Sequence, residues 1–307
     1  MNVFHIYANK SNVGDFLSAL AIKKLIKIKL QDLYWTARNS EFTTRKLNEL
    51  NENDIIIIGG GGLLKDYFLS MWEMLIKNYK GNKIVIWGVG ECVNKERENT
   101  RLPDEVFDSI ANIATKIYVR DYQTKLKFER CNAVVDLVGC PSMVLANKWQ
   151  KTGDRYLLHI VHSQLMRNTI LFWREKAIAL AANMGLKYIE VNHIFPSNII
   201  KRYLYWIKLQ YYYKNSSLIL SSRLHGIIIG STFNVPVIPI SNDYKIEAYW
   251  KGTLGGTKVL APNDYDILND YVKKEKFDPP QKILRRVDEL IKLNYHTSLD
   301  VINYIKY

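Results

Sequence analysis

The run DIIIIGGGGLL, from Asp54 to Leu64, constrains this chain more than any other stretch. A strand wetted on one side alternates apolar and polar residues. Consecutive isoleucines leave no polar face, so this strand must be covered on both sides. That environment belongs to parallel sheets flanked by helices and wound through strand–helix–strand crossovers. The glycines that follow predict a tight turn at the carboxyl end of the strand, the end where such sheets hold ligands.

The rest of the sequence alternates in the same way. NVFHIY, KIVIWGVG, KIYVRD, YLLHIVH, KYIEVNHI and LILSS read as strands. DFLSALAIKKLIKIKL, LSMWEMLIKNYK, EVFDSIANIAT, LFWREKAIALAANMG, NIIKRYLYWIKLQYYYK and PQKILRRVDELIKLN read as helices between or after them. The polar NKWQKTGDR interrupts the alternation near its middle. The expected fold class is therefore α/β, with two Rossmann-like, doubly wound domains facing a cleft. The expected boundaries are 1–150, 151–285 and a C-terminal helical segment 286–307.

At 307 residues the chain is long enough for two such cores. Lys and Arg interrupt every apolar run before it reaches membrane-spanning length. The start, MNVFHIYANK, lacks the pattern of a signal peptide. Cys92, Cys131 and Cys140 are too few and too scattered for a disulfide framework or a zinc site. A cytoplasmic, reducing location is expected, with no metal. Lys and Arg number 43 against 30 Asp and Glu, a net charge of +13. That excess favours anionic partners in general: phosphorylated substrates, acidic lipid or nucleic acid.

Four strand-ending loops carry candidate chemistry. Asn12, Gly14 and Asp15 open a helix, where backbone N–H groups attract anions, or where Asp15 merely caps. Gly60, Gly61 and Gly62 allow close backbone approach to a ligand, or simply turn the chain. Their spacing matches neither a dinucleotide fingerprint nor a Walker loop. Arg120 ends the KIYV strand and suits bidentate capture of a carboxylate or phosphate, unless Asp121 pairs with it. Ser222, Arg223, Leu224, His225 and Gly226 join a strand to a helix. There an arginine can hold an anion while a histidine exchanges a proton.

The Ser222-x-Leu224-His225-Gly226 element within SSRLHGIIIGSTFNVPVI resembles the signature of the polysaccharide pyruvyl transferase family. NVGD, IIIIGGGGLL, YVRDYQT and SNDYKIEAYW follow the family's order and rough spacing, so the resemblance spans about Asn12 to Trp250. Cys140-Pro141 stands where the family pattern has Asp-Pro, and Glu91 follows WGVG where a less charged turn is common. The resemblance implies a GT-B-like fold. It also implies transfer of the pyruvyl group of phosphoenolpyruvate, as a ketal, to a sugar of a cell-surface polysaccharide or its lipid-linked precursor. In that chemistry Arg120 and Arg223 would clamp the donor, His225 would shuttle the proton, and Lys245 would neutralise the leaving phosphate. Phosphoenolpyruvate is then the donor substrate, and no cofactor is expected.

A GT-B glycosyltransferase using a nucleotide sugar shares the expected fold and basic loops. A nucleic-acid-binding protein is the alternative of another class. Against it, the basic residues are dispersed and no recognised nucleic-acid module is present, so nucleic acid is not an expected partner. Finally, the segment from Asn198 to Lys214 holds more apolar and aromatic residues than one core-facing stripe can bury. With Lys201, Arg202 and Lys208 among them, it suits peripheral contact with an anionic membrane, an acceptor groove or a dimer contact.

Overall fold

The structure is a computed structural model of the chain. It describes all residues except 35–39, 93–100, 149–150, 165, 242, 275–280 and 307. The chain divides into two compact units, Met1–Val144 with Glu289–Tyr307, and Leu145–Asp288. The sequence-based boundary at 150 lies outside the described residues. The division falls instead between Val144 and Leu145, inside a short helix, Ser142–Ala146.

In the first unit the order is β1 (Val3–Tyr7), α1 (Val13–Ile26), β2 (Gln31–Tyr34), α2 (Ser40–Asn48), β3 (Ile55–Leu64), α3 (Leu69–Lys77) and β4 (Lys83–Glu91). There follow α4 (Asp104–Ile113), β5 (Lys116–Val119), α5 (Tyr122–Arg130), β6 (Val135–Leu137) and α6 (Ser142–Ala146). The sheet is parallel throughout, in the order β2-β1-β3-β4-β5-β6. The isoleucine run divides between its two faces, because successive side chains of a strand point in opposite directions. Ile56 and Ile58 pack with Trp72, Leu75, Phe107 and Phe128 on one side. Ile55 and Ile57 pack with Ile22, Ile26, Val301 and Ile305 on the other.

Val301 and Ile305 come from α12 (Gln281–Lys306), which corrects the reading of 286–307 as a segment apart. From Glu289 onward the helix belongs to the first unit. α1 supplies only part of the apolar cover that the Ile55 face needs. Asn294 fixes the helix there: it accepts from Trp87 Nε1 at 2.9 Å and donates to Val138 O at 2.6 Å.

A second correction concerns the glycines. β3 does not end at Gly59 but continues through Gly62 to Leu64, pairing Gly61 with Val89 and Leu64 with Glu91. Gly60 and Gly61 have φ of +85° and +103°, which favours glycine. A Cβ on Gly60 would stand 2.7 Å from Ser18 Cβ, and one on Gly61 would stand 2.6 Å from Asp15 Oδ1. The glycines therefore let α1 lie directly on the strand.

The second unit holds β7 (Tyr156–Ile160), α7 (Ile170–Asn183), β8 (Lys187–Val191), α8 (Ile199–Lys214), β9 (Ser216–Ser221), α9 (Leu224–Thr232) and β10 (Val237–Pro239). α10 (Tyr244–Glu247) and α11 (Leu268–Lys274) follow. Its parallel sheet has the order β10-β9-β7-β8. One face packs Leu157, Leu218 and Ile238 against Trp173 of α7 and Leu268 of α11. The sequence did not mark β2, α2 or α5. Only four residues form the edge strand β2, and only Thr124 and Phe128 of α5 are buried, so the periodic signal is weak.

Candidate active site

In the second sheet the chain passes from β7 outward to β8 and then returns to β9 on β7's other side. Strand order therefore reverses between β7 and β9, and such a reversal opens a ligand crevice at the carboxyl ends of the strands. The two chains leaving those ends are His162 after β7 and Ser222–Gly226 after β9. They are stapled together. Ser222 N donates to Ile160 O at 2.9 Å, and His162 N donates to Ser222 Oγ at 2.7 Å. Arg223 Nε donates to Val161 O at 3.0 Å. Arg223 is also the N-cap of α9, and Ser221 Oγ donates to its carbonyl at 2.8 Å. Gly226 has no room for a Cβ, which would overlap Ser221 Oγ. That close approach brings the first turn of α9, with buried His225, onto the strand ends.

The charges converge on this point. Burial pushes the His162 imidazole down to about 4, and the cations of Arg223 and Lys245 push the same way. His162 is therefore neutral near pH 7, beside two cations. Asp243, the N-cap of α10, pairs its Oδ2 with Lys245 Nζ at 2.8 Å and so holds the lysine by the site. The structure thus brings Ser222, Arg223, Leu224, His225, Gly226 and Lys245 into one neighbourhood of the second unit.

Two further histidines belong to it that the sequence reading did not single out. His162 is one. The other is His193, two residues past β8, with φ +56°, a conformation non-glycine residues seldom adopt. It is buried, its Nε2 lies 2.8 Å from Tyr213 Oη, and its Nδ1 has no hydrogen-bond partner. Burial holds its pKa well below the ordinary histidine value, with Arg223 and His225 adding to the effect. A histidine thus follows each of three adjacent strands. That pattern was readable as HIVH, EVNH and SSRLH, each a histidine just past an apolar run.

The first unit has its own reversal, between β1 and β3. Asp15 lies against Gly60 and Gly61 there, and Asn12 is occupied by the start of its own helix. Asn12 Oδ1 accepts from the N–H groups of Gly14 and Asp15 at 2.9 and 3.4 Å, so the expected anion cradle is taken by a helix cap. Gly62 sits against Cys92, where a Cβ would meet Cys92 Cβ at 2.6 Å. Arg120 shows the pairing with Asp121 that stood as the alternative to a clamp. It is 1% exposed, and its Nε and Nη2 both lie 3.2 Å from Asp121 Oδ2. Nη2 also donates to Glu91 O at 3.3 Å. Asp121 in turn caps α5, accepting from Thr124 N and Oγ1. The guanidinium is the centre of a buried network rather than an open clamp. Among the described residues no group of three or more His, Cys, Asp or Glu is placed to hold a metal ion.

No protein of curated function matches the chain significantly. Solved structures of the same fold do. The S. aureus MnaA-UDP co-structure aligns at TM-score 0.60 and 10% identity, covering 100% of this chain and 96% of that one. The Neisseria meningitidis UDP-GlcNAc 2-epimerase bound to UDP-GlcNAc aligns at 0.56 and 9%, covering 100% of both. The Methanocaldococcus jannaschii UDP-GlcNAc 2-epimerase in complex with UDP-GlcNAc and UDP aligns at 0.54 and 12%, covering 95% of this chain and 100% of that one. At these identities the likeness is one of fold, and the fold is GT-B-like. The family model for polysaccharide pyruvyl transferase matches residues 12–244, from the Asn12 cap through the Ser222–Gly226 loop to the start of α10. The chain belongs to the polysaccharide pyruvyl transferase family.

Proposed function

We propose that this chain transfers the pyruvyl group of phosphoenolpyruvate to two hydroxyls of a sugar in a cell-surface glycan or its lipid-linked precursor, forming a ketal. The observation that carries the reading is the convergence of Arg223, His225, His162 and Lys245 at the β7/β9 reversal, within a chain of this family. Phosphoenolpyruvate bears a carboxylate and a phosphate on one carbon. Arg223, Lys245 and the amino end of α9 supply positive potential for both anions. His225 gives a proton to the donor methylene, which becomes a methyl group, and the adjacent carbon becomes electrophilic. One sugar hydroxyl adds to that carbon and releases its proton. Phosphate departs beside Lys245, and the second hydroxyl closes the ketal. The two hydroxyl protons balance the one taken up by the methylene and the one carried away by phosphate. Neutral His162 is the second group able to accept a proton. The reaction needs no cofactor.

The test is phosphate release from phosphoenolpyruvate that depends on added glycan, with a pyruvyl ketal detected on the product by mass spectrometry. Release without ketal, or ketal formation undiminished in His225→Ala, would overturn the assignment. Solved structures of this fold include UDP-GlcNAc complexes, which favours one second reading, a sugar-nucleotide enzyme. UDP-sugar turnover with no response to phosphoenolpyruvate would support that reading instead.

A further inference from the structure

α8 has two very different faces. Inward, Leu209 and Tyr213 are buried, and Tyr213 holds His193. Half-buried Tyr205, on the same side, lies within the field of Arg223. Outward, Ile199 is 80% exposed, Ile200 67%, Tyr203 64% and Leu204 58%, with Ile207 and Tyr211 also exposed. At helical spacing these six residues share one continuous arc of roughly 140°. A soluble surface seldom leaves such an apolar stripe open without a partner for it.

The charges on the helix select the partner. α8 contains Lys201, Arg202, Lys208 and Lys214 and no acidic residue. Lys201 and Lys208 are exposed and border the apolar arc. A second copy of this chain using the same patch would bring lysine against lysine, because a two-fold contact is self-complementary. A bilayer surface with anionic headgroups has the opposite requirements. It takes isoleucine and leucine into the acyl boundary, tyrosine at the headgroup level and lysine against lipid phosphate. No described helix is long and apolar enough to cross a membrane, so the contact is a surface one.

We propose that the outer face of α8 seats the protein on anionic membrane, apolar arc inward and Lys201 and Lys208 on headgroup phosphates. α8 begins just past the carboxyl end of β8, the end at which His193, Arg223 and His225 gather. Its most exposed apolar residues, Ile199 and Ile200, are in its first turn. The catalytic end of the second sheet therefore lies toward the lipid, where a lipid-linked acceptor would present its sugar. The docking itself goes beyond the pyruvyl-transfer reading and stands without it.

Flotation with phosphatidylcholine vesicles, with and without phosphatidylglycerol, tests this on the full chain. The wild type is expected to float with the anionic vesicles at low salt and to be released as salt rises. Lys201→Gln with Lys208→Gln should weaken binding about 25-fold, about fivefold for each lysine. Ile200→Asn with Leu204→Asn should weaken it by about tenfold or more, without lowering the melting temperature, since both side chains are already exposed. The proposal fails if the wild type stays unbound at low salt, or if both double variants bind as it does. It also fails if light scattering shows a wild-type dimer that the apolar variant splits, which would assign the stripe to a second copy. None of these readouts requires phosphoenolpyruvate, so loss of the pyruvyl-transfer reading would leave the result interpretable.

Discussion

The two sheets each reverse strand order once, yet the two reversals are built from opposite materials. At β1/β3 the junction is closed: Asn12 caps α1, Gly60 and Gly61 admit the helix onto the strand, and nearby Arg120 is neutralised by Asp121. At β7/β9 the junction gathers Arg223, His225, His162 and Lys245, with the acid Asp243 beside them. A shared topology thus offers two equivalent crevices, and local residue chemistry decides which one is equipped to bind an anion and move a proton.

The sharpest way to break this comparison is to remove the proton carrier of the second junction. His225→Ala should reduce ketal formation by about 10²–10⁴-fold while the melting temperature moves little. Near-normal turnover in a folded variant would make His225 structural and the two junctions alike. The first junction should respond in stability instead. Arg120→Ala leaves the Asp121 carboxylate buried without its partner, and should destabilise the protein by about 3–5 kcal/mol. Chemical denaturation measures this. An unchanged midpoint together with a raised KM for phosphoenolpyruvate would restore Arg120 as a donor clamp.

Acid should separate the units. Burial depresses His159 and His162 to about 4 and holds His193 well below the ordinary histidine value, all in the second unit; the first unit has His5, also near 4. Between about pH 6.5 and pH 4 the unfolded chain binds these protons and the folded chain does not, so stability falls as pH falls through that window. His5 and His159, fully buried and lowered to about 4, each contribute at most about 3 kcal/mol to the loss. Hydrogen exchange at pH 5 is expected to show the second unit opening before the first. The reverse order would mean that other groups dominate.

Two smaller effects refine the contrast. Gly61→Ala forces a side chain into φ +103° against Asp15, and should cost about 1–3 kcal/mol of stability with turnover per folded molecule unchanged. Tyr213→Phe removes the partner of His193 Nε2. It should cost only about 1 kcal/mol but displace the pH profile of turnover, since His193 senses both Arg223 and His225. A stability change with no shift in that profile would reduce His193 to packing.

The sequence by itself determined the alternating α/β class, because an all-apolar strand such as Ile55–Ile58 has no solution except a sheet covered on both faces. It also determined the Ser222–Gly226 junction, whose residues are contiguous and whose resemblance to the pyruvyl transferase signature is local. Tertiary structure decided what depends on partners far apart in the chain. His162 and His193 join His225 only because β8, β7 and β9 lie side by side. Arg120 is matched by the adjacent Asp121, since a buried guanidinium must be paired and Asp121 was already fixed as a helix cap. From Glu289 onward α12 belongs to the first unit because the Ile55–Ile57 face needed a cover that local sequence could not supply. The pattern of α8 announced too many apolar residues for one core. Packing alone decided which of them face the solvent, because only Leu209 and Tyr213 found a buried surface to fill.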